Sequence, residues 1–248
     1  MRSLEICANS VASALAAQNG GAIRIEFCDN LKEGGTTPSY GQITVARQLL
    51  HIKLYVIIRP RGGDFLYSDL EFEIMKQDIE LCKQAGADGV VFGILNADGT
   101  VDKKRCKELL ELAKPLAATF HRAFDMCSDP FTALEEIIEM RFERILTSGG
   151  ETTAIEGIDQ IEKLVKQANG RISIMPGSGV NENNILKIAK QTRANEFHTT
   201  AKSRIGSNMT FQNSNAAMSP NSDEFLIEQT DEKTVKKLVS LLETASSS

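Results

Sequence analysis

The chain has 248 residues, with 28 Lys and Arg against 33 Asp and Glu for a formal net charge of -5, 42% hydrophobic and 25% charged residues, five Cys and no Trp. Collagen-like, disordered and disulfide-scaffold classes are excluded by these values, and the acidic balance argues against broad binding to nucleic acid or anionic lipid. No apolar run approaches the ~20 residues of a membrane helix, so neither a nucleic acid nor a membrane is an expected partner. The opening Met1–Cys7 segment carries a charge inside its first apolar stretch and has no signal-peptide core. The Cys stand at 7, 28, 82, 106 and 127, without a CxxC pair. Scattered thiols without an export signal point to a reducing, cytoplasmic setting.

Short β-rich runs alternate with longer helical patterns along the chain. Strands are predicted at Leu4–Cys7, Ile23–Cys28, Leu54–Arg59, Gly89–Gly93, Leu116–His121, Arg144–Ser148, Ile172–Gly177 and Glu196–Thr200. Amphipathic helices lie between them, such as Glu71–Lys83, with Phe72, Met75, Ile79 and Cys82 on one face, and Ile155–Ala168, with Ile158, Ile161, Leu164 and Val165. Strands alternating with helices imply right-handed crossovers and a parallel sheet. Eight such units in a chain of this size predict an α/β fold: a single (β/α)8 TIM barrel over residues 1–248. An open dinucleotide-binding sheet would carry its glycine fingerprint in the first turn, where Ala8-Asn9-Ser10-Val11 stands instead; no nucleotide cofactor is expected. Residues 202–228 break the rhythm and read as a long loop after strand eight, either a lid or wall of a site or a tolerated insertion. A closing helix follows, capped near Thr230-Asp231 and running to Leu242, and residues 244–248 read as a frayed tail.

Alternate residues of a barrel strand face the helices and the interior. If the aliphatic set (Leu4, Ile6, Ile25, Phe27, Leu54, Val56, Phe197) meets the helices, the interior receives Glu5, Cys7, Arg24, Glu26, Cys28, Arg59, His121, Glu196 and His198. Most barrels fill that space with branched apolar side chains. Buried charges must pair, reach water or hold a ligand, so the interior is either a self-satisfied ion network including Arg59 or a polar site at the barrel mouth.

Glu5-Ile6-Cys7 and Glu26-Phe27-Cys28 repeat a Glu-x-Cys pattern on neighbouring strands, ~4.8 Å apart in a parallel ladder. Cys7 and Cys28 read either as a thiolate pair for a soft ion such as Cu(I) or as small buried hydrophobes. Cys82 and Cys106 lie on apolar helix faces. Arg59 and Arg61, in Arg59-Pro60-Arg61-Gly62-Gly63-Asp64, are candidates to clamp an anion, or Asp64 closes the turn onto an Arg. His121 ends strand five, a candidate ligand or acid/base, with Asp125 as its orienting group. Ser148, Gly177, Gly179 and His198 end strands six to eight. Asn181 caps the next helix, and this rim suits an anion, although tight turns alone also need glycine.

The same segments resemble the CutC family of copper homeostasis proteins. The resemblance is carried by Asn30-Leu31-Lys32-Glu33-Gly34-Gly35-Thr36-Thr37-Pro38-Ser39-Tyr40-Gly41, Arg59-Pro60-Arg61-Gly62-Gly63-Asp64-Phe65, Phe120-His121-Arg122-Ala123-Phe124-Asp125 and Glu196-Phe197-His198. It implies a cytoplasmic TIM barrel, often a homo-oligomer, that binds copper through Cys7 and Cys28. Thr199-Thr200 stand where the family often has Cys-Ser, so a further thiol near His198 is absent. The alternative is a barrel enzyme acting on a small phosphorylated or carboxylated metabolite, with Glu26 and His121 as acid and base.

Overall fold

The computed structural model describes residues 2–213, 215 and 223–244. Eight parallel strands, β1 Ser3–Ala8, β2 Arg24–Phe27, β3 Lys53–Ile57, β4 Gly89–Phe92, β5 Ala117–Phe120, β6 Arg144–Thr147, β7 Ser173–Pro176 and β8 Glu196–Thr199, run in the order β7-β6-β5-β4-β3-β2-β1-β8. They form a nearly closed barrel, with β7 beside β8 at the seam. Helices α1 Val11–Asn19, α2 Tyr40–Leu49, α3 Asp69–Ala85, α4 Lys103–Ala113, α5 Pro130–Met140, α6 Ile158–Ala168, α7 Ile185–Thr192 and α8 Glu232–Thr244 surround it. This is the TIM-barrel architecture expected from the alternation.

Local signals set the helix boundaries. Ser39 and Gln42 form a reciprocal capping box before α2, and Ser68 and Glu71 form another before α3, each satisfying two N–H groups that a helix start leaves open. Asp129 caps α5, whose first residue is Pro130, the position where a missing N–H costs nothing. Helix α6 starts at Ile158 rather than Ile155. Residues 149 and 157 bring two backbones together there: a Cβ on Gly149 would overlap the Gly157 carbonyl. In α3, Phe72, Met75, Ile79 and Cys82 are buried as one stripe.

Strand parity divides the interior from the surrounding core. Leu4, Ile6, Ile25, Phe27, Leu54, Val56, Ile58, Phe92, Phe120 and Phe197 join the main apolar core with the helices, each contributing roughly 1.5–3 kcal/mol by burial. Inside the barrel lies a separate small cluster of Cys7, Cys28, Tyr55, Ile57 and Val91.

The segment read as a loop over 202–228 is different. Lys202–Gly206 (β9) and Leu226–Thr230 (β10) pair as an antiparallel ribbon, so the backbone polar groups of both ends are satisfied by a ladder that the Ser- and Asn-rich composition concealed. The ribbon is tied to the barrel where the Thr230 amide donates to Ser13 Oγ (3.1 Å) and Asn9 Nδ2 to the Glu228 carbonyl (3.3 Å). It walls a polar groove with Asp29, Lys32 and Arg204, not the central cavity described below. Residues 214 and 216–222 within that segment, and the tail at 245–248, lie outside the described residues.

Candidate metal centre at the barrel mouth

The floor of the barrel interior is an ion layer. Arg24, on β2, donates to Glu5 on β1 and to Glu196 on β8. Arg144, on β6, reaches Glu196 (3.1 Å), Glu143 (3.0 Å) and the Thr119 hydroxyl (3.1 Å). Both guanidinium groups lie 5.2 Å from the Tyr55 ring centroid, a cation–π arrangement among buried groups. Burial pushes the Glu5 carboxyl up, but Arg24, His198 and Arg144 together outweigh it and hold the group at about 2.

Above this layer stand the thiols. The register sets Glu5 opposite Arg24 and Cys7 opposite Glu26, so the two Glu-x-Cys motifs are staggered by one pleat rather than aligned, as the shear of a barrel requires. The thiols therefore meet diagonally, with Cys7 Sγ and Cys28 Sγ 3.3 Å apart and both buried. His198 bridges two carboxylates, its Nδ1 2.7 Å from Glu5 Oε1 and its Nε2 3.4 Å from Glu26 Oε2. Donor atoms of Cys7, Glu26 and His198 lie within 4.8 Å of one another.

The electrostatics follow from this crowding. Contact with Cys28, then burial and the nearby Glu26, push the Cys7 thiol well above its ordinary value. Burial opposes charge on His198, yet Glu26, Cys7 and Glu5 overcome it and raise the imidazole well above 6.5, making it a cation at neutral pH. Burial also raises Glu26. Thiolate and imidazole donors suit a soft or borderline ion such as Cu(I) or Zn²⁺, and a thiolate pair favours Cu(I).

These groups open on a cavity of about 400 Å³ whose wall includes Cys7, Glu26, Arg59, His121, Gly179, Asn181 and His198, with apolar surface from Leu31, Ile57, Phe65, Leu146 and Val180. Cys28 sits directly behind Cys7, and Glu5 lies beneath His198.

Several predicted residues are placed elsewhere. Arg61 is outside the cavity, held by Glu71 (2.5 Å) and Asp64 (2.9 Å), because the turn after β3 carries its side chain toward the start of α3. Gly177 packs under Leu146 and His198, where a Cβ would collide. Asp125 does not orient His121. It accepts from the Ser148 amide (3.0 Å), the Gly150 amide (3.1 Å) and Arg122 Nε (2.7 Å), and thereby clamps the loop after β6. Ser148 belongs to the same clamp: its hydroxyl donates to Asp125 (3.0 Å) and accepts from Arg122 (2.8 Å). His121 Nδ1 instead accepts from the Ala123 amide at 3.2 Å. Arg59 is not part of the ion layer; it donates to the carbonyls of Glu33 (2.6 Å), Gly35 (2.7 Å) and Gly63 (2.8 Å). Arg144 and Tyr55 were not among the candidates, although Arg144 shares strand parity with Leu146 and Ser148 and was detectable by the same rule.

Fold and site together define a (β/α)8 barrel with an ion-paired interior and a thiol–imidazole–carboxylate cluster at its C-terminal mouth. The CutC family model matches residues 2–203, and the chain belongs to that family. A CutC family protein of Parabacteroides distasonis is 54% identical over 241 residues, 96% of this chain and 99% of its own length. The human copper homeostasis protein cutC homolog is 50% identical over 237 residues, 95% of this chain and 87% of its own length. A crystal structure of a CutC protein from Streptococcus agalactiae, 39% identical, superposes with a TM-score of 0.77 over 81% of this chain and 99% of that one.

Proposed function

We propose that this protein binds Cu(I) at the barrel mouth through Cys7 and Cys28 and serves copper homeostasis. The observation that carries the reading is the 3.3 Å approach of two free, buried thiols beside a cavity. Metal–thiolate bonds are about 2.3 Å long, so small rotations about the two Cα–Cβ bonds let one ion take both sulfurs. His198 and Glu26 stand next to Cys7 as further donors or as charge partners. A bis-thiolate Cu(I) unit carries one net negative charge, and the His198 cation offsets it without a large desolvation cost. The reading includes a reducing, cytoplasmic setting, where paired thiols stay reduced, and self-association as the family resemblance implies.

The alternative, an enzyme using Glu26 and His121 as acid and base, receives less support. Burial and the nearby Arg59 hold His121 at about 3, so it is neutral at physiological pH, and its ring bonds to backbone rather than to Asp125.

The test is an anaerobic Cu(I) titration against a competing chelator. The wild type takes up one ion per chain, and the Cys7→Ser/Cys28→Ser variant loses that uptake while keeping its circular dichroism. Cys82→Ser and Cys106→Ser, in the apolar core, keep the ion and each lose about 1–3 kcal/mol of stability, because a hydroxyl costs more than a thiol to bury among apolar side chains. Equal Cu(I) uptake by the Cys7/Cys28 double variant rules the site out.

A further inference from the structure

The copper reading leaves the other half of the cavity unused. Arg59 and His121 both line it and are 4% and 3% exposed. Each carries a buried nitrogen without a hydrogen-bond partner among the described residues: Arg59 Nε and His121 Nε2. His121 Nδ1 accepts from the Ala123 amide and so bears no proton. In the neutral imidazole the proton is then on Nε2, which makes that atom an unanswered donor. The Arg59 guanidinium is satisfied on its other nitrogens by carbonyl oxygens alone. Among the described residues no carboxylate pairs with it, so its charge is uncompensated. The Phe65 ring holds the two groups in one frame, with its centroid 4.9 Å from the His121 ring and 5.1 Å from the Arg59 guanidinium carbon.

Buried donors without acceptors, and a buried cation without a counter-ion, are costly unless something supplies the missing partner. Tyr67 stands beside Arg59 with its own hydroxyl unpartnered, outside the cavity wall. A bond between Tyr67 and Arg59 Nε would answer one donor but supplies no negative charge and leaves His121 as it is. We propose that the Arg59–His121 half of the cavity is a binding site for a small organic carboxylate. The anion supplies the acceptor oxygens and the missing charge, and Leu31, Ile57 and Phe65 cover its carbon skeleton. Those apolar walls favour an organic carboxylate over inorganic phosphate. Cys7, Glu26 and His198 border the same cavity, and what directs the carboxylate to Arg59 and His121 is that their two donors have no acceptor. Neither residue is one of the proposed copper ligands.

Calorimetric titration of the metal-free full chain tests this with three probes: benzoate, its uncharged analogue benzyl alcohol, and inorganic phosphate. Benzoate binds at one per chain, and benzyl alcohol at least about tenfold more weakly, the value of one charge-assisted contact. His121→Phe weakens benzoate about tenfold, whereas His121→Gln, which retains an N–H donor, restores most of the loss. Arg61→Met, outside the cavity, changes nothing. Equal affinity for benzoate and benzyl alcohol, saturation by phosphate but not benzoate, or no benzoate binding up to about 10 mM each overturns the proposal. Because no metal is present, such a failure leaves the copper reading untouched.

Discussion

Glu5 and His198, 193 residues apart in the chain, sit opposite one another on β1 and β8 with Glu5 Oε1 2.7 Å from His198 Nδ1. This contact joins the ion layer of the barrel floor to the thiol cluster at its mouth. Through it, the protonation of the candidate metal centre and the stability of the fold depend on the same groups.

Stability is expected to be highest between about pH 4.3 and 6.5. Glu5 is held at about 2, below the ~4.3 of an unfolded Glu; its contribution is complete above that unfolded value and is lost as pH falls toward 2. His198 is raised, so its contribution is complete below about 6.5 and is lost as pH rises through its folded value. Glu26, raised by burial, loses its contribution as pH rises above about 4.3, whereas His121, held at about 3, loses its own as pH falls below about 6.5; over that interval the two oppose each other and leave the limits set by Glu5 and His198. Urea unfolding at acid, mildly acid and alkaline pH checks the peak, and a monotonic rise into the alkaline range contradicts it.

Replacing Arg24 with Met removes the cation that Glu5 and Glu196 share and leaves Glu5 with His198 and Glu196 with Arg144. The expected loss is about 3–5 kcal/mol, as for breaking any buried ion cluster on one side. Lys114→Met removes only the exposed pair with Glu111 and is expected to change stability by at most about 1 kcal/mol. Denaturant midpoints of the two variants compare them directly.

Cu(I) affinity is expected to rise with pH near neutrality. Cys7 is raised well above 9 by Cys28 and by burial, so it is a protonated thiol at neutral pH and must release its proton to become a ligand. Each proton released strengthens apparent binding about tenfold per pH unit. Titrations in buffers of different ionisation enthalpy count the protons, and a pH-independent affinity excludes Cys7 as a thiolate ligand.

Gly149 and Gly150 offer a controlled comparison at nearly equal φ, 76° and 78°. Gly150→Ala meets open space and is expected to cost only the left-handed backbone penalty, about 1–2 kcal/mol. Gly149→Ala adds a collision with the Gly157 carbonyl and is expected to cost at least about 3 kcal/mol, combining that penalty with displacement of a packed backbone. Thermal melts of both variants separate conformational strain from close approach.

Much of this protein is written locally. The alternation of apolar strands with amphipathic helices announced the barrel, because periods of 2 and 3.6 residues leave distinct marks in a linear pattern. Parity alone placed Glu5, Arg24, Glu26 and His198 in the interior with Cys7, since each strand has only two faces. What parity cannot carry is stagger and side-chain direction. Only the closed barrel decided that Cys7 faces Glu26 and meets Cys28 on the diagonal. Likewise only tertiary structure sent Arg61 to Glu71 and Asp125 to the loop after β6, while leaving Arg59 and His121 with open donors on one cavity. Those outcomes depend on barrel shear and on competition among partners distant in sequence, quantities that no local pattern encodes. The ribbon of β9 and β10 escaped for the same reason: its ladder joins residues 202–206 to 226–230, and neither half shows the apolar alternation that burial on one face would impose.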